Sequence, residues 1–492
     1  MEQAATTSPA GGDMSAAEFR ACMQLVTERI AVFLEQPDVW RVLPSVAPGE
    51  IRAALPAHAP DEAEPFDRII ADFDSLIMPA TTHWNHPGFM AYFATTGSGP
   101  GILAEALIAM LNVNAMVWRT GPAATELEEV TLGWLRELMG LPHDFDGVIN
   151  DTASSSTLYA LAAARELLSD LHLREQGLAG RPEVPRLAIY CSEEAHSSVD
   201  KAAITLGLGL SGIRHIVTDD HYRMDVNALR AAIAEDKARG IRPLAAVATV
   251  GTTSTPSVDP VSDVADVCAE EGIWLHVDAA YGGAAALLPE MRHLFDGCER
   301  AHSLVVNPHK WMFVPIDCSV LFTRRPDLMK RAFSLVPEYL TTAEGDTARN
   351  LMDYGVSLGR RFRALKLWFV MRYFGAHGIA ARIREHIRLA SLLADLIDQH
   401  PDFERLAPQN LSVVVFRYRP AGLGAEAAID EANARILENV NASGEIFISH
   451  TKAKGRYAIR LAVGNLRTTE RQVRRAWELI QRAANSSRAQ RA

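Results

Sequence analysis

The chain has 492 residues, with 49 basic and 60 acidic side chains and a formal net charge of −11 at pH 7. A chain of this length predicts two or three subdomains rather than one small core. The hydrophobic share of 48% and the charged share of 22% are typical of a soluble globular enzyme. The negative charge and the lack of a long basic block argue against a nucleic-acid-binding protein.

Cysteine usage and the N-terminus indicate the compartment. The chain has five cysteines, which are widely spaced and form no CxxC pair: Cys22, Cys191, Cys268, Cys298 and Cys318. This pattern predicts free thiols in a reducing compartment rather than disulfides or a zinc site. Residues 1–13 lack the basic and apolar regions of a signal peptide, and no apolar stretch is long enough to span a membrane. We therefore expect a cytoplasmic protein without a membrane partner.

The first part of the chain predicts helices and little sheet. Apolar residues recur at helical spacing from Ser15 to about Glu35, and two more helices are predicted after Pro48 and over 65–77. Such a helical arm has no strong core of its own and is expected to pack on another surface, such as a second subunit. The aromatic-rich stretch 83–93 follows, and it is typical either of a packed core or of a pocket wall.

From Gly147 onwards, apolar strands alternate with helices. The predicted strands are 147–149, 186–191, 244–250, 273–277, 304–306 and 319–323, and a helix is predicted over 158–168, after the first of them. This alternation predicts a mainly parallel sheet covered by helices. Polar residues follow several of these strands, at the edge where open α/β sheets bind their ligands.

The C-terminal part predicts a smaller α+β unit. Its predicted elements are helices over 359–374, 379–400 and 470–482 and strands over 411–418, 447–450 and 457–463. The polar stretch from Arg324 to Tyr354, which precedes this unit, predicts either a mobile lid or a surface loop.

Lys310 is the first candidate for chemistry. Pro308 ends the short apolar strand 304–306, so Lys310 is expected in a loop at the carboxyl end of that strand, flanked by His309 and Trp311. A partly desolvated amine in such a place can attack an aldehyde as a Schiff-base lysine. A plain surface lysine is the alternative.

Other strand ends supply partners for such a lysine. A hydroxyl-rich loop at 152–154, His196, the threonines 252–253 and Asp278 each follow a predicted strand. A helix N-terminus with hydroxyls suits a phosphate dianion, and a carboxylate suits a protonated pyridine nitrogen. This set of groups predicts a pyridoxal 5′-phosphate (PLP) site. His276 and Asp278 could instead share a metal, but no third ligand is evident, and we predict none.

The motifs around these residues resemble those of the group II PLP-dependent decarboxylases, most closely the aromatic L-amino-acid decarboxylases. The resemblance covers about residues 16–482. Its strongest motifs are His-Val-Asp-Ala-Ala-Tyr at 276–281 and Asn-Pro-His-Lys-Trp at 307–311. Three further segments match, namely 195–199, 251–253 and 358–362.

The resemblance implies a PLP-dependent transferase-like fold of the aspartate aminotransferase type, fold type I. This α/β fold has a large, mainly parallel seven-stranded sheet, a small C-terminal α+β domain and an N-terminal helical arm. We place the arm and dimerisation segment at 1–95, the large PLP-binding domain at 96–378 and the small domain at 379–492. A homodimer with its active site at the interface is also implied.

Roles follow from the matching motifs. Lys310 would hold PLP covalently, Asp278 would pair with the pyridinium nitrogen, and His196 would stack on the ring and contact the substrate carboxylate. Tyr339 falls where the family keeps a lid tyrosine that protonates the substrate carbon. The remaining cofactor-binding residues would be Ala153, Ser154, Thr253, Ala280, Asn307 and His309. The substrate pocket would be lined by Trp84, Tyr92, Phe93 and Thr95.

The implied reaction converts an aromatic L-amino acid (tryptophan, tyrosine, DOPA or phenylalanine) to its amine and CO2. An aromatic aldehyde synthase, which adds an oxidative deamination, is one alternative, but such enzymes typically replace the lid tyrosine or the stacking histidine. Tyr339 and His196 are both present here. A glutamate or aspartate decarboxylase is a second alternative, which the aromatic stretch disfavours. A non-enzymatic binding module would require Lys310 to be idle.

Two departures from the family pattern bear on the site. Asp151 stands where relatives usually place a glycine in the phosphate loop, and its charge is unfavourable there unless it points away. Asn114 and Met116 stand where animal relatives carry apolar and aromatic pocket residues. The choice among aromatic substrates therefore stays open.

Overall fold

The computed structural model describes residues 12–335 and 348–489. The helices in these ranges are α1 (Ala16–Glu35), α2 (Glu50–Ala54), α3 (Phe66–Asp72), α4 (Gly99–Leu111), α5 (Pro122–Met139), α6 (Ala153–Arg165), α7 (Leu173–Gln176), α8 (Ser198–Thr205), α9 (Val226–Ala238), α10 (Val261–Glu271), α11 (Pro308–Trp311), α12 (Pro326–Phe333), α13 (Ala364–Asp398), α14 (Glu426–Ala442) and α15 (Glu470–Ala489). The strands are β1 (Asp146–Asn150), β2 (Leu187–Ser192), β3 (Ile213–Ile216), β4 (Arg242–Thr249), β5 (Trp274–Asp278), β6 (Ser303–Val306), β7 (Ser319–Thr323), β8 (Phe403–Arg405), β9 (Val413–Tyr418), β10 (Ser449–Ala453) and β11 (Arg456–Ala462).

A seven-stranded sheet forms the centre of the large domain, in the order β1-β7-β6-β5-β4-β2-β3. The neighbours from β6 to β3 are parallel, and β7 is antiparallel to both β1 and β6. The prediction of an α/β fold with a mainly parallel seven-stranded sheet is confirmed. The sequence missed β3, a four-residue edge strand whose middle residues are not buried, because so short and mixed a run carries little strand signal.

Helices cover both faces of this sheet, which explains why its strands are nearly continuous apolar runs. Ala246 and Ala248 face the core built with α5, α9, α10 and α13, whereas Ala245 and Val247 face the core built with α6, α7, α8 and α12. Alternation along β5 places Trp274 in the second of these cores. Because side chains two apart share a face, Asp278 points to the α6 and α8 side.

The small domain contains a four-stranded antiparallel sheet in the order β10-β11-β9-β8. The two helices predicted over 359–374 and 379–400 form one element, α13, whose halves meet at Gly375. Gly375 has φ 64°, in the left-handed region that favours glycine, so the chain bends there. Residues 359–363 lie before the helix, and the division into three domains stays a prediction.

The N-terminal arm is helical, as expected, and its first helix is exposed in the single chain. Helix α1 has no buried residue, and Phe19 and Met23 are 50% and 38% exposed. Helix α3 ends at Asp72, and residues 73–77 form a π-helical turn instead of extending it. No helix in the described parts of the chain is long and apolar enough to cross a membrane.

The stretch between Arg324 and Tyr354 is only partly a loop. Helix α12 and a 3-10 turn at Leu351–Tyr354 lie within it, because Leu328 and Met329 are buried against α6 in the core. The prediction of an irregular segment is wrong for these parts. Residues 336–347, with the predicted lid residue Tyr339, lie outside the described residues.

Candidate active site

Lys310 lies at the carboxyl edge of the large sheet, directly after β6. It stands in a single helical turn, α11, rather than in the predicted loop, and its N–H donates to the Asn307 carbonyl at 2.9 Å. Pro308 both ends the strand and begins the turn, because it cannot donate to a sheet but is well tolerated in the first turn of a helix. The end of β6 therefore fixes the position of the Lys310 backbone at this edge of the sheet.

The ring of Phe93 lies next to this amine and next to a buried arginine. The Nζ atom of Lys310 lies 5.3 Å from the centroid of the Phe93 ring, and the guanidinium carbon of Arg460 lies 4.8 Å from it. Tyr281 stacks on Phe93 with 3.7 Å between centroids, so one ring face is covered. Lys310 and Arg460 consequently share the other face.

The surroundings favour the neutral amine. Burial lowers the pKa of Lys310, and the positive charge of Arg460 lowers it further, while Asp278 opposes the shift. A lysine with a lowered pKa has the lone pair that attack on an aldehyde requires. The structure thus gives Lys310 the electrostatic setting that its predicted role needs.

Asp278 and His196 lie on the α6 and α8 side of the same edge. Asp278 is 6% exposed, and its Oδ1 accepts from the N–H of Ala280 at 3.0 Å. His196 is exposed in the single chain, and its Nδ1 accepts from the N–H of Ser198 at 3.1 Å. Desolvation lowers the pKa of His196, with Asp278 opposing and Lys310 adding to the shift. These mutual effects show that three of the four predicted catalytic residues, Lys310, Asp278 and His196, lie near one another.

A hydrogen-bond chain beneath Asp278 engages both ring nitrogens of His276. The indole N–H of Trp274 donates to Ser303 Oγ at 2.8 Å, and the same oxygen lies 2.8 Å from His276 Nδ1. The other ring nitrogen, Nε2, lies 3.4 Å from Thr157 Oγ1. Both ring nitrogens are engaged, which disfavours the metal alternative. Residues 12–335 and 348–489 contain no group of three side chains suited to a metal.

The start of α6 forms a cradle for an anion. The helix begins at Ala153 rather than at Leu158, because Thr152 caps it, with its hydroxyl 3.4 Å from the N–H of Ser155. Ala153 and Ser154 thus form the first turn, where free N–H groups favour a phosphate. The carboxylate of Asp151 accepts from the N–H of Thr152 at 2.8 Å and is held by its own loop.

Asn307 completes the fit for PLP. It is only 3% exposed, and its amide oxygen has no hydrogen-bond partner among the described residues. A buried amide without a partner beside Lys310 is costly unless a polar ligand engages it. A phosphate dianion only accepts hydrogen bonds, so the NH2 end of this amide is the part that can donate to it, and a flip of the side chain exchanges the two ends. The helix N-terminus, this amide, the Asp278 carboxylate and the Lys310 amine match the phosphate, ring nitrogen and aldehyde of PLP.

The other predicted cofactor residues mainly support this arrangement. The Thr253 carbonyl accepts from Arg460 Nε at 2.9 Å, and Ala280 orients Asp278 as described. His309 is buried, and its Nδ1 accepts from the N–H of Cys318 at 2.9 Å, which ties the Lys310 turn to the start of β7. Burial lowers the pKa of His309 to about 4.

Of the predicted substrate residues, the structure brings Phe93 closest to Lys310. Trp84 and Tyr92 are 38% and 51% exposed and form a separate cluster, in which Trp84 stacks on Phe89 at 4.3 Å and Phe447 meets Tyr92 edge-on at 5.9 Å. Thr95 is partly buried next to this segment. These exposed rings form an apolar wall rather than a closed pocket in the single chain.

Arg460 is the functional residue that sequence reasoning missed. It lies in β11 and is 4% exposed, and its Nη1 donates to the Ala91 carbonyl at 2.9 Å, while Nη2 has no partner among the described residues. Burial lowers its pKa to about 10. The available signal was an arginine inside the apolar run 458–462, because arginine is rarely buried without a partner.

The fold and the site together define a fold type I PLP enzyme. Residues 48–419 match the family model described as the pyridoxal-dependent decarboxylase conserved domain. The chain belongs to this family, as the resemblance indicated. Its cofactor is pyridoxal phosphate, and it is a PLP-dependent amino-acid decarboxylase.

Individual relatives extend over nearly the whole chain. Aromatic-L-amino-acid decarboxylase of Bos taurus is 39% identical over 488 residues, which cover 96% of this chain and 97% of that protein. Phenylacetaldehyde synthase of a Rosa hybrid cultivar is 35% identical over 480 residues, covering 94% and 93%. The crystal structure of Oryza sativa TDC with PLP and tryptamine has a TM-score of 0.92 at 36% identity, covering 96% of this chain and 99% of that one.

Buried histidines in the site predict acid sensitivity. Burial lowers the pKa of His276 and His309 to about 4, whereas an unfolded histidine titrates near 6.5. Between these values the unfolded chain binds more protons, so the free energy of unfolding falls as the pH falls from 6.5 to 4, by about 1.4 kcal/mol per pH unit for each such histidine. Urea unfolding followed across this range tests the slope.

His276→Asn should flatten that slope, and His221→Asn, at an exposed histidine, provides the control. Equal slopes in the parent and the His276 variant would show that this ring takes up a proton in the folded protein and contradict the assignment.

Proposed function

We propose that the protein decarboxylates aromatic L-amino acids to the corresponding amines and CO2. The observation that carries this proposal is the desolvated Lys310 amine, held beside Asp278 and the cradle at α6 and facing an aromatic wall. The names of relatives that align over nearly the whole chain support the aromatic substrate class.

When bound, PLP supplies an electron sink for the carbon that loses CO2. In this proposal Lys310 holds the cofactor covalently and Asp278 keeps the ring nitrogen protonated. The N-terminal turn of α6, with Ala153 and Ser154, binds the phosphate together with Asn307. His196 would stack on the ring.

Arg460 is proposed to bind the α-carboxylate of the substrate. Its unpartnered Nη2 lies on the same face of Phe93 as the Lys310 amine, so an amino acid at Lys310 can place its carboxylate there. A buried guanidinium gains most from an anionic partner, because it is poorly solvated without one. Holding the carboxylate fixes which bond of the substrate carbon is oriented for cleavage.

The proton that returns to the substrate carbon is assigned to Tyr339, with His196 as the second candidate. Tyr339 lies outside the described residues, so this role rests on the motif alone. Trp84, Tyr92, Phe93 and Thr95 are proposed to contact the substrate side chain.

Product analysis tests the reaction. The purified, PLP-loaded protein is given a panel of aromatic and acidic L-amino acids, and CO2, amine, aldehyde and peroxide are measured together. We expect amine and CO2 in equal amounts from an aromatic substrate, and loss of both the cofactor absorbance band and activity in Lys310→Ala. Aldehyde with ammonia and peroxide would instead indicate an aldehyde synthase, and turnover of glutamate or aspartate alone would contradict the aromatic pocket.

Arg460 gives a second test. Arg460→Met keeps the apolar stem but removes the charge, and kcat/KM for the amino acid should fall by about 100-fold or more, as when one partner of a buried charge pair is lost. Inhibition by the amine product should hardly change, because the amine has no carboxylate.

Arg417→Met is the matched control, since Arg417 is 2% exposed but pairs with Glu404 and Glu426 within the small domain. If Arg460→Met weakened amine and amino acid binding equally, Arg460 would not be the carboxylate site.

We also propose a homodimer with the active site at its interface. Apolar side chains of the arm and of α4 are left open in the single chain, with Leu103 and Met110 66% and 69% exposed. A groove of about 610 Å³ lies beside them, between α1 and residues 70–83. Apolar surface of this extent favours burial against a second copy. The five free cysteines, four of them buried, support a reducing cytoplasmic location.

The dimer predicts a mass of about twice 53.8 kDa in sedimentation or mass photometry. Leu103→Glu combined with Met110→Glu should shift the protein toward the monomer and reduce activity, because two charges would be buried at the interface. Leu210→Glu, at a 64% exposed leucine outside this surface, should leave the dimer intact. A monomeric parent protein would contradict the proposal.

A further inference from the structure

Three aromatic rings form a column that begins next to the Lys310 amine. Phe93 stacks on Tyr281 with 3.7 Å between centroids, and Tyr281 stacks on Trp311 at 4.7 Å, with interplanar angles of 15° and 14°. Trp311 follows Lys310 in the chain, while Phe93 carries the amine on its free face. One end of the column, Trp311, is therefore bonded to the Lys310 backbone, and the other end, Phe93, contacts the Lys310 amine.

The middle ring is tied to the small domain by a chain of hydroxyls. Ser412 donates to the carbonyl of Val463, so the hydroxyl of Tyr281 must donate to Ser412 Oγ. Tyr281 is 4% exposed and Ser412 is fully buried. Ser412 lies just before β9 and Val463 just after β11, so this chain joins the large domain to the second sheet.

The last ring is tied to the same place through a histidine. The indole N–H of Trp311 donates to His386 Nδ1 at 2.9 Å, and His386 bonds the backbone of Asn465. An indole is only a donor, so His386 Nδ1 is unprotonated and its proton lies on Nε2. Burial lowers the pKa of His386 to about 4, which keeps this neutral form at physiological pH.

Both bridges end on residues 463–465, directly after the strand that carries Arg460. The side chain of Asn465 also donates to the Trp84 carbonyl at 3.0 Å, and the N–H of Ala462 donates to the Met90 carbonyl at 2.8 Å. One short segment thus fixes Arg460, the aromatic wall and the column behind Lys310.

We propose that Tyr281 and Ser412 are positioning residues, whose hydroxyl chain to Val463 fixes the position of the aromatic column relative to β11. This position sets the distance between Lys310 and Arg460 over the Phe93 ring. The inference rests on the proposed function only in that Lys310 binds PLP. The charged groups that act on Lys310 are Asp278 from β5 and Arg460 from β11, and the column fixes its distance to the second.

Tyr281→Phe keeps the ring stack and removes only the hydroxyl, and Ser412→Ala removes the other half of the bond. The readouts are the pH titration of the absorbance band of the PLP-loaded protein and the affinity for PLP. We expect each variant to shift the titration by about half a pH unit or more and to change PLP affinity about fivefold, the effect of one lost buried hydrogen bond. The double variant should resemble the single ones, because both remove the same bond.

Tyr190→Phe is the matched control, since Tyr190 is fully buried and its hydroxyl donates to Asp236 at 2.9 Å, away from the column. It should lower thermal stability without moving the titration. An unchanged titration in Tyr281→Phe and Ser412→Ala, a shift of equal size in Tyr190→Phe, or additive effects in the double variant would each overturn the inference. A wild-type protein without a Lys310-dependent absorbance band would overturn the proposed function instead.

Discussion

Lys310 and Arg460 both lie over the Phe93 ring, and Asp278 is the carboxylate that acts on the lysine. The buried guanidinium of Arg460 is costly without an anionic partner, and its positive charge helps to hold the Lys310 amine in its neutral form. The phosphate of PLP and the carboxylate of an amino acid are the anions that this family of enzymes brings together. The buried Arg460 guanidinium and the desolvated Lys310 amine are therefore suited to bind these two groups.

The parallel sheet brings these charged groups together at one edge and holds them there. Strands β2, β4, β5 and β6 end at one edge, and each end passes into a turn or helix whose backbone groups are not used by the sheet. Asp278 and Lys310 are carried by adjacent strands, so their relation depends on a rigid hydrogen-bonded ladder rather than on loops. The histidine and serine chain under Asp278 stiffens the same strand from below.

The small domain contributes to the site directly. Its strand β11 supplies Arg460, and the segment after β11 receives both hydrogen-bonded bridges from the aromatic column. A displacement of the second sheet would consequently change the charge environment of Lys310. This coupling makes the position of the small domain relative to the large sheet important for the reactivity of Lys310.

The sequence by itself determined the parallel sheet, the edge that carries Lys310, Asp278 and His196, and the PLP family, because apolar runs ended by polar motifs are local signals. It misjudged the start of α6, since Thr152 capped the helix earlier than the apolar pattern indicated, and it missed the short strands β3 and β8. Only the tertiary structure decided the role of Arg460 and the column from Phe93 to Trp311. These residues are far apart in the chain, and nothing local marks an arginine in a strand or a buried tyrosine hydroxyl as partners of one lysine until packing brings them together.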